Sequence, residues 1–384
     1  MDRRTPEDLR EKVILFALIR SPQSRFLAAE ALDELKTLTE TAGGRVVERL
    51  IQIRTRPDPK TLIGSGKMKE LARICQEHGI DLVIFNNDLT PSQIGALEEH
   101  LPCRVIDRTA LILDIFARHA RTREAKCQVE LAQLQYRLSK LTGRGGELSR
   151  LGGGIGTRGP GEKKLEIDRR RIRQRIRYLK RRLKSIERSR LVQRKRRRNL
   201  FKVAIVGYTN AGKSTLLNRL ARERVKVSNQ LFTTLDSITA SVYIRDGFKI
   251  ILSDTVGFIR NLPHQLIASF RATLSVVGEA DLLIILTDLS DRDWEEKVDC
   301  VRRVLAEIGA DQKPFLPVFN KIDLVFEPLE FKRARRIFPN AVFISALKGD
   351  GIEGLKLTLK ELAQKEVKYG QKEEPQLCWP SLYR

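Results

Sequence analysis

Apolar runs and helical-period stretches alternate along the first part of the chain. Val13–Ile19 and Val46–Ile53 read as strands around a helix from about Ser24 to Thr41, which Gly43-Gly44 closes. A Pro/Gly-rich stretch follows from Arg56 to Gly66. Then come a helix over Lys67–His78, a strand over Asp81–Phe85, a helix over Pro91–His100 and a strand over Cys103–Ile106. Strands alternating with helices predict a small α/β domain with a largely parallel sheet over residues 1–107.

The period then changes. Cys127, Leu131, Leu134, Leu138 and Leu141 recur in steps of four and three, and so do Ile172, Ile176, Leu179, Leu183 and Ile186. Each set is a narrow apolar seam on a long helix. Between them, Gly143–Gly161 holds nine glycines in nineteen residues. Two seamed helices joined by one loop predict an antiparallel hairpin over residues 108–198, with the Gly-rich loop 143–161 at its tip. A helix running from Arg108 to Leu141 would give that hairpin a reach of roughly 50 Å at ~1.5 Å per residue. The bland alternative is a coiled-coil spacer, but a loop of this length is uncommon unless it has a function or lacks order.

Periodicity returns to α/β from Phe201 to about Gln364, so a third domain is expected over residues 199–365, with a short tail over 366–384. The chain of 384 residues is long enough for three cores, and 41% of it is hydrophobic. Charge changes the picture more than composition does. The net charge is +24, and Asp168–Arg198 carries 17 Lys/Arg against two acids, Asp168 and Glu187. A solvated helix face is the plain explanation, yet at this density self-repulsion opposes it, and phosphate neutralisation is the natural compensation. Arg144, Arg150 and Arg158 add to the charge within the loop. Val13–Ile19 is seven residues long and follows Asp2, Glu7, Asp8 and Glu11. A spanning helix needs about twenty apolar residues, so no membrane span, a cytoplasmic location and an RNA partner are expected. Five cysteines without metal spacing are expected to be reduced thiols.

The chemistry lies in the last domain. The strand Phe201–Val206 runs into Gly207-Tyr208-Thr209-Asn210-Ala211-Gly212-Lys213-Ser214, with a helical stretch from Thr215 to Leu220. Strand, GxxxxGK[ST] loop and helix together make a P-loop. Its backbone N–H groups cradle phosphates, Lys213 supplies charge for the β and γ oxygens, and Ser214 is the expected Mg2+ ligand. Asp246-Gly247 predicts a hairpin turn before the strand Lys249–Leu252, which leads to Asp254-Thr-Val-Gly257. Asp254 is placed to hold Mg2+ and Gly257 to offer its N–H to the γ-phosphate. Between these motifs lies Phe232-Thr233-Thr234, of which Thr234 is the favoured further metal ligand.

Asn320-Lys321-Ile-Asp323 ends the strand Phe315–Phe319, and Ser345-Ala346-Leu347 follows the strand Ala341–Ile344. The Asp323 carboxylate can accept both N1–H and the 2-amino group of guanine, which adenine does not offer. A backbone N–H of residues 345–347 can reach O6. The four motifs predict a Ras-like GTPase that converts GTP to GDP and phosphate with Mg2+. One usual feature is missing. The position after the glycine of DxxG, where such enzymes carry a water-orienting glutamine, is Phe258. Slow intrinsic hydrolysis is expected, with no certain catalytic residue. Asn210 has two readings: a ligand for a monovalent cation such as K+ beside the phosphates, or a cap bonded to its own backbone.

The whole resembles the HflX family of bacterial and organellar GTPases. The likeness rests on Gly143-Arg-Gly-Gly146, on Gly152-Gly-Gly-Ile-Gly-Thr-Arg-Gly-Pro-Gly161 and on Arg123-Glu-Ala-Lys-Cys-Gln-Val-Glu130. Arg56-Pro-Asp-Pro59 and Gly207–Lys213 also match. The resemblance implies GTP-dependent association with the large ribosomal subunit and its rRNA, hydrolysis stimulated there, and splitting or rescue of stalled ribosomes. A monomer is expected. Phe258 is similar to the hydrophobic residue that the family carries in place of glutamine. Lys163 and Ser237 depart from the family pattern, and the tail 366–384 leaves no match to the extra C-terminal domain of some members. The rivals are a ribosome-assembly or RNA-modification GTPase and a nucleotide-independent RNA-binding scaffold.

Overall fold

The computed structural model describes residues 10–142, 160–195, 200–221, 238–244, 248–260 and 276–369. The chain divides into two compact units. One comprises Met1–Arg118 with Lys126–Arg182, the other His119–Ala125 with Leu183–Arg384.

In the first unit, strands β1 (Lys12–Ile19), β2 (Arg45–Ile53), β3 (Leu82–Phe85) and β4 (Arg104–Asp107) form a sheet in the order β2-β1-β3-β4. Every pairing is parallel, as the alternation of strands and helices predicts. The central strands β1 and β3 are almost wholly buried, which is why they read as unbroken apolar runs rather than alternating ones. Helices α1 (Arg25–Thr41), α2 (Ser65–His78) and α3 (Pro91–His100) connect the strands. Met68, Leu71 and Ile74 of α2 pack into one core with Ile14, Phe16 and Phe85. One helix stop and one helix start have clear local causes. Gly79 adopts φ 59 so that Ile80 N–H reaches the Cys75 carbonyl, and Thr90 with Gln93 makes a reciprocal cap at the start of α3.

The expected long helix from Arg108 to Leu141 is two helices, α4 (Arg108–His119) and α5 (Arg123–Thr142). The break has a visible reason: Thr122 Oγ accepts the Ala125 N–H at 3.1 Å and starts a new helix. The element before the loop is therefore α5 alone, 20 residues and roughly 30 Å long at ~1.5 Å per residue, rather than roughly 50 Å. Its seam is buried at Cys127 and Leu131. Tyr136 donates to the buried Asp107 at 2.9 Å and Lys140 pairs with it at 2.8 Å, tying α5 to the end of β4. Burial first, then the Asp107 charge, pushes the Tyr136 phenol up. Helix α6 (Pro160–Lys195) begins at a proline, which suits the first helical position. In this unit Arg175 grips Glu130 through two hydrogen bonds, 2.7 and 3.0 Å, and Arg169 donates to the Leu141 carbonyl at 2.8 Å. The glycine loop, with Arg144, Arg150 and Arg158, lies outside the described residues up to Gly159, as do the Asp246-Gly247 turn and the tail beyond Tyr369.

The second unit holds a six-stranded sheet of β5 (Phe201–Gly207), β6 (Thr239–Tyr243), β7 (Lys249–Asp254), β8 (Leu282–Asp288), β9 (Phe315–Asn320) and β10 (Val342–Phe343). Their order is β10-β9-β8-β5-β7-β6, and only the β6/β7 pair is antiparallel. Helices α7 (Lys213–Ala221), α8 (Trp294–Glu307), α9 (Pro328–Ile337) and α10 (Ile352–Tyr369) follow strands β5, β8, β9 and β10. Leu216, Leu217 and Leu220 of α7 share a core with Val203, Ile205 and Ile284 of the sheet. Parallel pairing brings the carboxyl ends of five strands to one edge. Gly207, Asp254, Asp288 and Asn320 end strands there, and Ser345 follows the fifth. Ligands of open α/β sheets bind at that edge.

Among the described residues no helix is long and apolar enough to cross a membrane, and the cysteines are free thiols.

Candidate active site

The GxxxxGK[ST] segment forms the turn between β5 and α7. Gly207 ends the buried strand so close to β8 that a side chain there would strike the Leu286 carbonyl. Asn210 and Gly212 take positive φ, 62 and 93, and reverse the chain into the helix. Asparagine tolerates that region better than most residues. Gly212 has a second constraint, because a Cβ would collide with Asn320 Nδ2. Tyr208, Thr209 and Ala211 are buried while Asn210 is exposed, and Ser214 and Thr215 are half-buried at the start of α7. The buried ammonium of Lys213 donates to the carbonyls of Tyr208 at 2.7 Å and Gly207 at 3.1 Å. Burial pushes its pKa down to about 8, opposed by the Asp254 charge.

The DxxG segment lies directly against this turn. Ser214 Oγ donates to Asp254 Oδ2 at 2.7 Å. A Cβ on Gly257 would sit 3.0 Å from Lys213 Nζ and 2.8 Å from the Thr209 methyl. Phe258 is locked at both backbone groups, donating to the Gly207 carbonyl at 3.1 Å and accepting from Thr209 N–H at 2.8 Å. Its ring is 1% exposed, so the side chain after the glycine is core. The next two residues are held as well. Cys300 Sγ donates to the Ile259 carbonyl at 3.3 Å, and Arg260 N–H donates to the Tyr208 hydroxyl at 2.7 Å. Phe232, Thr233 and Thr234 lie outside the described residues.

At the other end, Asn320 is a brace. Its Nδ2 donates to the Ala211 carbonyl at 2.8 Å and its Oδ1 accepts the Ala346 N–H at 2.9 Å. One buried amide thus joins the phosphate turn to the turn after β10, which the sequence motif alone did not reveal. Lys321 stands at φ 63 and pairs with Asp288 at 2.6 Å. The half-buried Asp323 carboxylate has no partner among the described residues. Sequence reading missed Asp288. An acid closing the apolar run Leu282–Thr287 opposite Asn320 was the available signal. It also missed Arg219, which donates to the carbonyls of Ala346 and Leu347 and gave no signal at all.

Three family models cover the chain in order: a GTP-binding GTPase N-terminal region over residues 29–117, a GTP-binding GTPase middle region over 119–197, and a 50S ribosome-binding GTPase over 202–321. The GTPase HflX of Caldanaerobacter subterraneus subsp. tengcongensis is 49% identical over 318 residues, 82% of this chain and 73% of its own. That of Flavobacterium psychrophilum is 48% identical over 313 residues, 82% of this chain and 76% of its own. This chain belongs to the HflX family of GTPases. It is an enzyme that hydrolyses GTP. The solved structure of SsGBP in complex with GDP aligns over 92% of this chain and 99% of its own at 27% identity, with a TM-score of 0.49, too loose a likeness to bear on the site.

GTP and GDP are the nucleotides of such a family, and Mg2+ is their usual companion. The donor set in this HflX-family chain fits that ion. A serine hydroxyl and a carboxylate converge within 2.7 Å. Mg2+ prefers hard oxygen ligands and usually takes only one or two from protein, with water and substrate phosphates completing its shell. The described residues hold no cluster of three His, Cys, Asp or Glu side chains that could hold a metal ion.

Proposed function

We propose that this HflX-family GTPase docks in its GTP-bound form on the large ribosomal subunit and splits or rescues stalled ribosomes, and that the ribosome stimulates its hydrolysis. The observation that carries the reading is the surface of α6. Ile176 and Leu179 are buried, while Arg170, Arg171, Arg173, Arg177, Arg181 and Arg182 are exposed. One face of the helix is thus a structural seam and the rest a dense array of guanidinium groups. Such groups suit rRNA phosphates, and binding through them falls steeply with salt. Helices α5 and α6 are read as a hairpin with the glycine loop at its tip.

In the nucleotide site, the N–H groups of the loop and the start of α7 face the phosphates, except those of Thr209 and Ala211, which are held by the Phe258 and Tyr208 carbonyls, and Lys213 balances the β and γ oxygens. Ser214, Asp254 and Thr234 would hold Mg2+, which shields phosphate charge when bound. Gly257 donates its N–H to the γ-phosphate, and Asp323 accepts from N1–H and the 2-amino group of guanine. Thr234 and Gly257 order the switches in the GTP form, and loss of the γ-phosphate releases them. The buried Phe258 ring orients no water. The missing charge comes from a monovalent cation at Asn210: this side chain is exposed and bonds to no backbone group among the described residues, contrary to the capping alternative.

Pelleting with ribosomes and isolated subunits, in GTP analogue or GDP, tests the partner. Deleting Gly145–Gly159 preserves most binding and abolishes subunit splitting, whereas charge reversal along 169–198 removes both. A loop-deleted protein that still separates particles at the parent rate refutes the mechanism.

A further inference from the structure

The turn after β10 engages most of its backbone donors. Ser345 N–H goes to the Asp350 carbonyl at 2.9 Å and Ala346 N–H to Asn320 Oδ1 at 2.9 Å. Lys348 N–H goes to Ser345 Oγ at 3.0 Å and Gly349 N–H to the Ser345 carbonyl at 2.7 Å. Leu347 N–H has no acceptor among the described residues. The carbonyls around it are gripped by one side chain. Arg219, in the last turn of α7, donates through Nε to Ala346 O at 3.0 Å and through Nη2 to Leu347 O.

The grip has a geometric consequence. The Ala346 C=O and the Leu347 N–H belong to one planar trans peptide, so they point in opposite directions. Holding that carbonyl toward α7 turns the N–H away from α7. The guanidinium fork, rigid and permanently charged, fixes two successive carbonyls at once. Asn320 fixes the same turn one peptide earlier, through Ala346 N–H.

We propose that Arg219 is a positioning residue for base recognition, and that it aims Leu347 N–H, rather than Ala346 N–H, at O6 of guanine. The proposal rests on the reading that Asp323 faces the N1–H and 2-amino edge. Arg219 touches no part of the nucleotide in this scheme. It sets the direction of the peptide that does.

Equilibrium binding of GDP, 6-thio-GDP and IDP to the full chain tests it. 6-Thio-GDP keeps N1–H and the 2-amino group but presents a weak sulfur acceptor at position 6. IDP keeps O6 and lacks the 2-amino group. The parent protein prefers GDP over 6-thio-GDP by about tenfold, the worth of one good hydrogen bond in a buried site. Arg219→Ala weakens GDP by about tenfold and 6-thio-GDP by less than about twofold, so their ratio collapses toward one while the GDP:IDP ratio stays at the parent value. Arg219→Lys, which keeps a donor for one carbonyl, falls between. Equal weakening of GDP and 6-thio-GDP, or no weakening of either, overturns the proposal. The reading beneath it is checked separately with Asp323→Asn, which shifts preference from GDP to XDP. Failure of that shift removes the base-edge assignment, whereas an intact shift with an unchanged Arg219 ratio removes only the role of Arg219.

Discussion

Raising the pH through 8 should weaken nucleotide binding, because the ammonium proposed to face the phosphates is already reluctant to hold its proton. Lys213 is buried beneath the phosphate turn, and burial lowers its pKa to about 8, with Asp254 opposing the shift. Two or three phosphate charges arriving beside it favour the ammonium and raise its pKa in the complex. Binding above the free-state value is therefore coupled to uptake of a proton. The charged fraction of the free protein is roughly 0.9 at about pH 7 and roughly 0.1 at about pH 9, so affinity falls about tenfold across that interval and is nearly flat below it. The sign for folding follows from the same group. Between about 8 and the ordinary lysine value the unfolded chain binds the proton and the folded one does not, so the nucleotide-free protein gains stability as pH rises through that window. Fluorescence titration with a labelled GDP at fixed Mg2+ and ionic strength measures the first effect. Lys213→Arg, which does not titrate there, subtracts the titration of the base itself. Equal affinity at both pH values in the parent protein, or the same slope in Lys213→Arg, would refute the reasoning.

Three further outcomes are expected. Asn320→Ala leaves the Ala211 carbonyl and the Ala346 N–H buried without their partner, at roughly 1–3 kcal/mol each, so thermal unfolding falls by several degrees and GDP binding weakens even though Asp323 is untouched. Phe258→Gln places an amide where a ring is 1% exposed. It destabilises by roughly 3 kcal/mol and gives no faster single-turnover hydrolysis, since the side chain faces the core rather than the phosphates. Potassium accelerates hydrolysis relative to sodium, and Asn210→Ala erases the difference. Equal rates in the two salts for the parent protein would return Asn210 to a purely structural role.

The motifs that identify this GTPase were legible because each is a local demand written in consecutive residues. A phosphate turn needs glycine where φ is positive and a lysine at the head of the next helix, and Gly212-Lys213 meets both needs within two positions. Strand and helix types were legible for a similar reason, since a fully buried parallel strand such as β1 must be an apolar run. The division of the middle region was not. The seam spacing predicts one helix through residue 141, but the break depends on a single threonine cap at Thr122, which periodicity averages away. Partnerships across the sheet were equally hidden. Asn320 meets Ala211 and Lys321 meets Asp288 because parallel pairing brings the ends of separate strands to one edge, and Arg219 meets Ala346 from the last turn of α7. The sequence by itself determined which chemical groups are offered to a nucleotide, since those are local motifs. Only the tertiary structure decided which of their hydrogen-bonding atoms are already engaged by the protein, such as Ala346 N–H, and which, such as Leu347 N–H, point outward. That choice depends on contacts between residues 26 (Asn320 with Ala346) to 128 (Arg219 with Leu347) positions apart in the chain.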